Sequence, residues 1–234
     1  MRNTLLVILA HPDDESFPIG GTLAKYSAAG TRIVLICATY GEMGIEKKNP
    51  QQAAAVRKEE LKCAADALGV DDLRFLGYPD GSLPEVAEEE MLSRLTAILQ
   101  EVRPDALITF GPDGISGHPD HITISRRVTQ AFDRTDPGGI RLFYIAPSEA
   151  TRQGCGVDPP QEKGDWPIAG IDITEHRSAK VRAIQCHASQ NPPFQGKLEQ
   201  AAKDLACHEF FSLARPRGSY NDLVDLFGAL VEDL

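Results

Sequence analysis

Apolar residues recur along the first two thirds of the chain in two alternating patterns. Short runs that are apolar almost throughout, such as RIVLICAT at residues 32–39, are typical of strands buried on both faces of a parallel sheet. Stretches with apolar residues three or four positions apart predict amphipathic helices. Strands are predicted at residues 4–10, 32–39, 73–76, 105–110 and 141–146. Helices are predicted between them, at residues 21–29, 53–68, 85–102 and 119–134.

This alternation of strands and helices predicts an α/β fold. Because β-α-β crossovers are right-handed, we expect a Rossmann-like, doubly wound and mainly parallel sheet with helices on both faces. The expected sheet has about five or more strands, in the order 3-2-1-4-5.

The pattern weakens after Pro147. Residues 148–170 are polar and rich in glycine and proline, which predicts a long loop over one face of the sheet. Residues 171–234 are expected to form a C-terminal extension packed on the core, with helices at 178–188, 197–207 and 222–230. The chain has no internal repeat or linker, so we expect a single domain over residues 1–234.

The overall charge is acidic. The chain has 24 Lys and Arg against 34 Asp and Glu, a formal net charge of −10, with no basic block. A nucleic-acid partner is therefore not expected, since binding phosphates needs clustered cations. No apolar run reaches the roughly 18 residues of a membrane span, so no membrane partner is expected either. Assembly into a homo-oligomer is left open.

The five cysteines are odd in number and scattered, without a C-x-x-C pair. This distribution predicts reduced thiols in a cytoplasmic protein, and neither a disulfide framework nor a zinc site made of cysteines.

Ionisable residues follow two strands that the predicted order places side by side. HPDDE at residues 11–15 follows the first strand, and GPDGISGHPDH at residues 111–121 follows the fourth. Ligands of doubly wound sheets bind beyond the carboxyl ends of the strands, at the point where the strand order reverses. We therefore expect the two loops to form one site.

Three residues of these loops have the composition of a hydrolytic zinc site. His11, Asp14 and His121 supply two imidazoles and a carboxylate, which leaves a fourth position open. Fe²⁺ and Mn²⁺ also suit such ligands. Acids before a helix are commonly caps, but capping does not explain imidazoles in both loops.

Three neighbouring residues are candidates for the chemistry. Asp13 is a candidate general base, and His118 is a candidate to polarise a carbonyl or to protonate a leaving amine. Asp120 is placed to orient a histidine. Spacing alone leaves open which aspartate of Asp13 and Asp14 binds the metal and which accepts the proton.

Several motifs resemble the LmbE-like, or PIG-L, family of zinc-dependent N-acetylglucosaminyl deacetylases, over residues 5 to about 190. The specific motifs are AHPDDE at 10–15, GG at 20–21 and GHPDH at 117–121. Softer similarities are GEMG at 41–44, VRKEEL at 56–61, GYPDG at 77–81 and K-x-x-A-x-x-x-H-x-x-Q at 180–190.

The resemblance implies a role for each site residue. It makes the two histidines and the second aspartate the zinc ligands, Asp13 the general base and His118 the group that stabilises the oxyanion. It also implies sugar contacts at Glu42, Arg57 and Asp80. The alternatives are that Arg57 is a solvated charge on a helix face, that Asp80 forms a turn and that Glu42 is an exposed loop acid.

The predicted function is a metal-dependent hydrolase that removes the N-acetyl group from an N-acetylglucosamine-type amino sugar in a small glycoconjugate. GEMG followed by a charged helix is similar to deacetylases of the bacillithiol-pathway type. The alternatives are an amidase that cleaves a thiol-sugar conjugate and a non-catalytic protein that binds sugar or metal on the same scaffold. Glu15, His187 and the loop at 148–170 have no assigned role at this point.

Overall fold

The computed structural model describes residues 2–135, 139–146, 168–190, 203, 205–215 and 225–228. Its strands are β1 (Thr4–Leu9), β2 (Arg32–Thr39), β3 (Asp72–Tyr78), β4 (Ala106–Phe110), β5 (Arg141–Ile145), β6 (Ile168–Asp172) and β7 (His208–Arg215). Its α-helices are α1 (Gly20–Ala28), α2 (Pro50–Leu68), α3 (Glu88–Val102), α4 (Pro119–Thr135) and α5 (Arg177–Cys186). Single 3₁₀ turns lie at Leu83–Glu85, Thr174–His176 and Ala188–Gln190.

The described strands form one mixed sheet with the order β3-β2-β1-β4-β5-β7-β6. The first five are parallel and follow the predicted order 3-2-1-4-5, so the predicted fold class is confirmed. β7 lies antiparallel between β5 and β6. Successive strands are added on one side of β1 up to β3 and on its other side from β4 onward, so the strand order reverses between β1 and β4, at the place expected for a ligand site.

The central strands are buried because their sequences are apolar at nearly every position. All five residues of β4 are buried, as are seven of the eight in β2. Helices α1, α2 and α5 contact one another, and α3 contacts α4. Right-handed crossovers on either side of β1 place these two groups on opposite faces of the sheet.

Helix α2 begins three residues earlier than its apolar pattern indicates. Asn49 caps it by accepting a hydrogen bond from the Gln52 amide at 2.9 Å, and Pro50 occupies the first turn, where its missing N–H is not needed. Gly69, with φ 72°, ends the helix in the left-handed conformation.

The C-terminal part of the chain departs from its prediction. The loop expected over 148–170 ends earlier, because Ile168–Asp172 forms β6; residues 148–167 lie outside the described residues. β7 was not predicted; it begins at His208, directly after the helix expected at 197–207, of which the described residues 205–207 are not helical. Residues 225–228 form a bend within the predicted helix at 222–230, whose other residues are not described. The single-domain organisation stays a prediction.

The prediction of five reduced cysteines is wrong for one pair. Cys63 of α2 and Cys186 of α5 form a disulfide, with Cα atoms 5.7 Å apart and 123 positions between them in sequence. The packing of α2 against α5 brings them together, which spacing along the chain does not show. Cys37 and Cys207 are free thiols, and Cys155 lies outside the described residues. No helix of the described segments has the length and apolarity needed to cross a membrane.

Candidate functional site

The two predicted loops meet at the carboxyl ends of β1 and β4. Residues 10–19 follow β1, and the segment after β4 runs from Gly111 into the first turn of α4, which carries Asp120 and His121. Side chains of both loops line a cavity of about 350 Å³. His11, Asp13, Asp14, His118 and His121 all border it.

Three ligand-type atoms converge at the base of this cavity. His11 Nδ1 lies 3.0 Å from His121 Nε2, and Asp14 places one oxygen 3.3 Å from His121 Nε2 and the other 3.7 Å from His11 Nδ1. Ligand atoms around a tetrahedral zinc, with bonds of about 2.0–2.1 Å, are roughly 3.3–3.4 Å apart. The observed spacing therefore fits a small divalent cation.

Hydrogen bonds behind the two imidazoles direct their free nitrogens into the site. His121 Nδ1 lies 3.0 Å from the Gly114 carbonyl oxygen, which only an N–H can approach favourably, so the lone pair of the neutral ring is on Nε2. His11 Nε2 lies 3.1 Å from both Asp80 and Asp120, so its proton is on that side and its Nδ1 is the free nitrogen. In the neutral rings His11 Nδ1 and His121 Nε2 therefore present lone pairs to each other at 3.0 Å, and a cation bound by both nitrogens would remove their repulsion.

Aromatic packing and buried carboxylates hold these rings in place. His121 stacks on Phe110 at the end of β4, with ring centroids 4.1 Å apart and planes 5° from parallel. Asp120 is fully buried, and its carboxylate also accepts hydrogen bonds from the amides of Gly81 at 2.8 Å and Leu83 at 3.0 Å. Asp120 thus ties His11 to the loop after β3.

The electrostatics of the site favour positive charge. Burial alone would lower the pKa of His11, but hydrogen bonds to Asp120 and Asp80 and the charge of Asp14 raise it to about 10. The pKa of Asp120 lies below its usual range, because His11 and two amides outweigh its burial. A cation bound at His11 would supply to these carboxylates the positive charge that the second ring proton of His11 supplies otherwise.

Asp13 lies beside the ligand-type atoms but takes no part in their cluster. Its carboxylate accepts a hydrogen bond from Arg57 at 2.8 Å, and its amide donates to Glu15 at 3.0 Å. Its φ of 118° is rare for a residue with a side chain. Burial first, and then the charge of Asp14, raise the pKa of Asp13 to about 7, while Arg57 acts in the opposite direction.

His118 lies at the rim of the cavity and is exposed. Its Nδ1 accepts a hydrogen bond from the Asp120 amide at 3.1 Å, which leaves the proton of the neutral ring on Nε2. Its ring is 4.8 Å from that of His11. Partial burial and the neighbouring histidines lower its pKa, so the ring is neutral at neutral pH and presents an N–H donor.

The three residues expected to contact sugar make contacts within the protein. Arg57 is 4% exposed and also donates to the carbonyl oxygens of Pro12 and Gly41. Asp80 accepts from the Met43 amide at 2.9 Å, and Glu42 accepts from the Asp80 amide at 2.9 Å. Arg57 and Asp80 nevertheless border the cavity, whereas Glu42 connects the two loops behind it.

Residues 6–132 match a known family. The model described as "PIG-L: GlcNAc-PI de-N-acetylase" matches residues 6–132, which include both loops of the site. This chain belongs to the PIG-L family.

Several similar proteins cover 80% or more of the chain. The 1D-myo-inositol 2-acetamido-2-deoxy-alpha-D-glucopyranoside deacetylase of Saccharomonospora viridis is 34% identical over 270 residues, which cover 97% of this chain and all of the relative. The "Probable N-acetyl-alpha-D-glucosaminyl L-malate deacetylase 2" of Bacillus anthracis is 33% identical and covers 80% of each chain. The solved N,N'-diacetylchitobiose deacetylase of Pyrococcus horikoshii has a TM-score of 0.67 at 26% identity, over 90% of this chain and 83% of that one.

Residues beyond the matched region also contact the site, and the sequence alone did not assign them a role. His187, which follows α5, lies 2.7 Å from Glu15, and both side chains are buried. Gln190 borders the cavity and donates to the Gly44 carbonyl at 3.2 Å. The softer K-x-x-A-x-x-x-H-x-x-Q motif was the only sequence signal for these contacts.

Proposed function

We propose that this PIG-L chain is a metal-dependent N-deacetylase that removes acetyl from an N-acetylglucosamine-type amino sugar in a small glycoconjugate. The observation that carries this proposal is the convergence of His11 Nδ1, His121 Nε2 and the Asp14 carboxylate beside a second, separately held carboxylate, Asp13. The names of the relatives support the acetamido sugar as substrate, and they differ in the group attached to it.

The residues proposed to hold the metal are His11, Asp14 and His121. Zinc is the ion we propose, because two imidazoles and one carboxylate with an open position are typical of hydrolytic zinc sites; Fe²⁺ and Mn²⁺ fit the same donors. Such an ion supplies Lewis acidity, which lowers the pKa of water and polarises a carbonyl.

Three other residues are proposed to carry the proton transfers and the charge. Asp13 accepts a proton from the attacking water as the new C–O bond forms at the acetamide carbonyl. The His118 Nε2–H donates to the carbonyl oxygen as negative charge develops there. The protonated Asp13 then transfers its proton to the amine nitrogen, the C–N bond breaks, and the free amine leaves with acetic acid, which ionises to acetate in solution. Asp120 keeps the proton of His11 on Nε2, away from the proposed metal.

Contacts with the sugar are proposed for the cavity wall formed by Arg57, Asp80 and the GEMG loop that contains Glu42. Because Arg57 and Asp80 are anchored to Asp13 and His11, hydroxyl groups bound to them would be held at a fixed distance from the reacting centre.

The test is a panel of N-acetylated amino sugars assayed for release of free amine, with zinc and with chelator. The panel contains the inositol and malate conjugates of N-acetylglucosamine, N-acetylglucosamine itself and a cysteinyl-glucosamine amide. We expect chelator-sensitive release of acetate from at least one acetamide. Hydrolysis of the cysteinyl amide alone would replace deacetylation by amidase activity. No turnover of any member by zinc-loaded protein would refute the proposal.

A further inference from the structure

Asp13, the proposed general base, is connected by hydrogen bonds to two helices, α2 and α5. Arg57 of α2 donates to the Asp13 carboxylate at 2.8 Å, and Glu15 accepts a hydrogen bond from the Asp13 amide at 3.0 Å. Glu15 is itself held at its other oxygen by His187, which follows α5, at 2.7 Å. The carboxyl group and the peptide of the same residue are thus tied to α2 and to α5.

The Glu15–His187 pair is built as a buried unit. Glu15 is 1% exposed and His187 is fully buried. The Ser16 hydroxyl donates to the same Glu15 oxygen that His187 contacts, so both carboxylate oxygens have partners. Any rotation of Glu15 that breaks one of these contacts would leave a buried charge or polar group without a partner. This free-energy cost holds the Glu15 carboxylate in a single orientation.

α2 and α5 are also tied to each other next to this pair. The Cys63–Cys186 disulfide joins the two helices, and Cys186 directly precedes His187. Ser189, two residues further on, donates to Glu60 of α2 through both its amide and its hydroxyl, each at 2.7 Å. The position of His187 is therefore set by the same helix that carries Arg57.

We propose that His187 is a positioning residue, which through Glu15 holds the Asp13 peptide in the conformation that directs its carboxylate at the attacking water. The effect on catalysis rests on the proposed function, whereas the effect of His187 on the Asp13 peptide does not. A φ of 118° at Asp13 is disfavoured for an L-residue, so this conformation persists only where surrounding contacts enforce it. His187 supplies the one ionisable partner of the Glu15 carboxylate in the described part of the chain.

The test compares three variants at a temperature where all are folded and at equal zinc content. His187→Leu removes the donor at similar volume, and His187→Gln keeps an N–H donor for Glu15. Lys180→Met is the matched control, because Lys180 also comes from α5 and makes a buried ion pair, at 2.6 Å to Glu209, that contacts the start of α1 and not Asp13.

The first readout is amide hydrogen exchange over residues 10–17. We expect faster exchange there in His187→Leu, recovery in His187→Gln, and wild-type exchange in Lys180→Met. The second readout is kinetic: kcat falls roughly 10- to 100-fold in His187→Leu with KM little changed, as is typical when a residue that orients a reacting group is lost.

Equal exchange over residues 10–17 in His187→Leu and Lys180→Met would overturn the proposal. If His187→Leu does not fold, Glu15→Gln replaces it, and unchanged exchange and kcat in that variant are equally fatal. If the wild-type protein hydrolyses no substrate, the proposed function fails, while the exchange experiment still decides whether His187 holds the Asp13 peptide.

Discussion

Asp13 shows at the scale of one residue how the chain separates two adjacent carboxylates. Asp14 turns toward the two histidines, and its carboxylate also accepts a hydrogen bond from the His11 amide at 2.7 Å. Asp13 turns the other way, toward Arg57. Asp13 has a positive φ and Asp14 does not, and these neighbouring side chains point to different partners. The roles proposed for the two aspartates, metal ligand for Asp14 and general base for Asp13, therefore follow from their different backbone conformations and partners.

Asp13→Asn is predicted to retain the metal and to lose activity. The amide preserves the shape of the carboxylate but accepts no proton, so kcat should fall by roughly 10²- to 10⁴-fold. Metal analysis and steady-state kinetics on the same preparation check both halves. His11→Ala is the complementary variant and should lose the metal itself. Loss of zinc in Asp13→Asn would instead make Asp13 a ligand.

Gly44→Ala is predicted to slow the reaction although Gly44 carries no functional group. A Cβ at this position would overlap Nη1 of Arg57, so the guanidinium, which also donates to Asp13, must shift. A displacement of about 1 Å can cost as much as 10²-fold in rate, so we expect a kcat roughly 10- to 100-fold lower. Kinetics of Gly44→Ala, with the exposed Lys47→Ala as control in the same loop, measure this. Equal rates in the two variants would show that Arg57 adapts freely.

At the residue scale the sequence predicts which side chains assemble better than it predicts what each touches. His11, Asp14 and His121 follow two strands that are neighbours in the expected doubly wound order 3-2-1-4-5, so their meeting can be predicted. The partners of Arg57 and Asp80 depend on rotamers and on loop paths, which have no periodic signature. Glu15 and His187 are 172 positions apart, and nothing in the local pattern links them.

At the scale of elements, α2 and α5 together position Asp13, the proposed base, through Arg57 and through His187 and Glu15. They contact each other extensively and are joined by the Cys63–Cys186 disulfide. α2 was predicted from its apolar stripe, and a helix at 178–188 was predicted where α5 lies. β7 was missed because HEFFSLAR mixes charged and apolar residues without the continuous run of a central parallel strand.

Reduction of the disulfide is predicted to destabilise the fold. A link that closes a loop of 123 residues restricts the unfolded chain, and removing a native disulfide typically costs about 2–4 kcal/mol. For a chain of this length we expect Tm to fall by roughly 5–10 °C in Cys63→Ser or in dithiothreitol. Cys207→Ser, at an exposed free thiol, is the control. An identical Tm with and without reductant would indicate that the two thiols are not bonded in solution.

The start of β3 is predicted to contribute stability that depends on pH. Although partial burial acts in the opposite direction, the Ile33 amide and the Arg2 guanidinium hold the pKa of Asp71 below its usual range. A lowered pKa stabilises the folded state above the pKa of the unfolded chain, near 3.9, and this contribution disappears as pH falls through the folded value. Asp71→Asn should therefore lower Tm at pH 7 and have much less effect near pH 2. A Tm difference that is the same at both pH values would contradict this assignment.

At the scale of the whole molecule, the chain concentrates acids around a few histidines at one edge of the sheet. Asp13, Asp14, Asp80 and Asp120 all lie within this edge, and the one guanidinium bordering the cavity, Arg57, is bonded to Asp13 in the described structure. Excess negative charge of this kind destabilises the folded state unless a cation is bound.

Zinc is accordingly predicted to raise the thermal stability of metal-free protein. Binding only to the folded state at 100 times Kd adds about 2.7 kcal/mol, which corresponds to a rise in Tm of roughly 5–10 °C for a chain of this size. A thermal titration of protein stripped with chelator measures the shift, and His11→Ala should abolish it. A shift of equal size in His11→Ala would place the bound zinc elsewhere.

The insertion of β7 between β5 and β6 has a consequence for how the protein matures on the ribosome. β5 cannot pair along its outer edge, and β6 has no described partner in the sheet, until residues 208–215 have been made. Glu209 in that strand also accepts hydrogen bonds from the Gly21 and Thr22 amides at the start of α1, next to the HPDDE loop. A nascent chain that already contains every residue from His11 to His121 therefore still lacks the strand that joins β6 to the rest of the sheet. The complete sheet should form only late in synthesis, after β7 has been made.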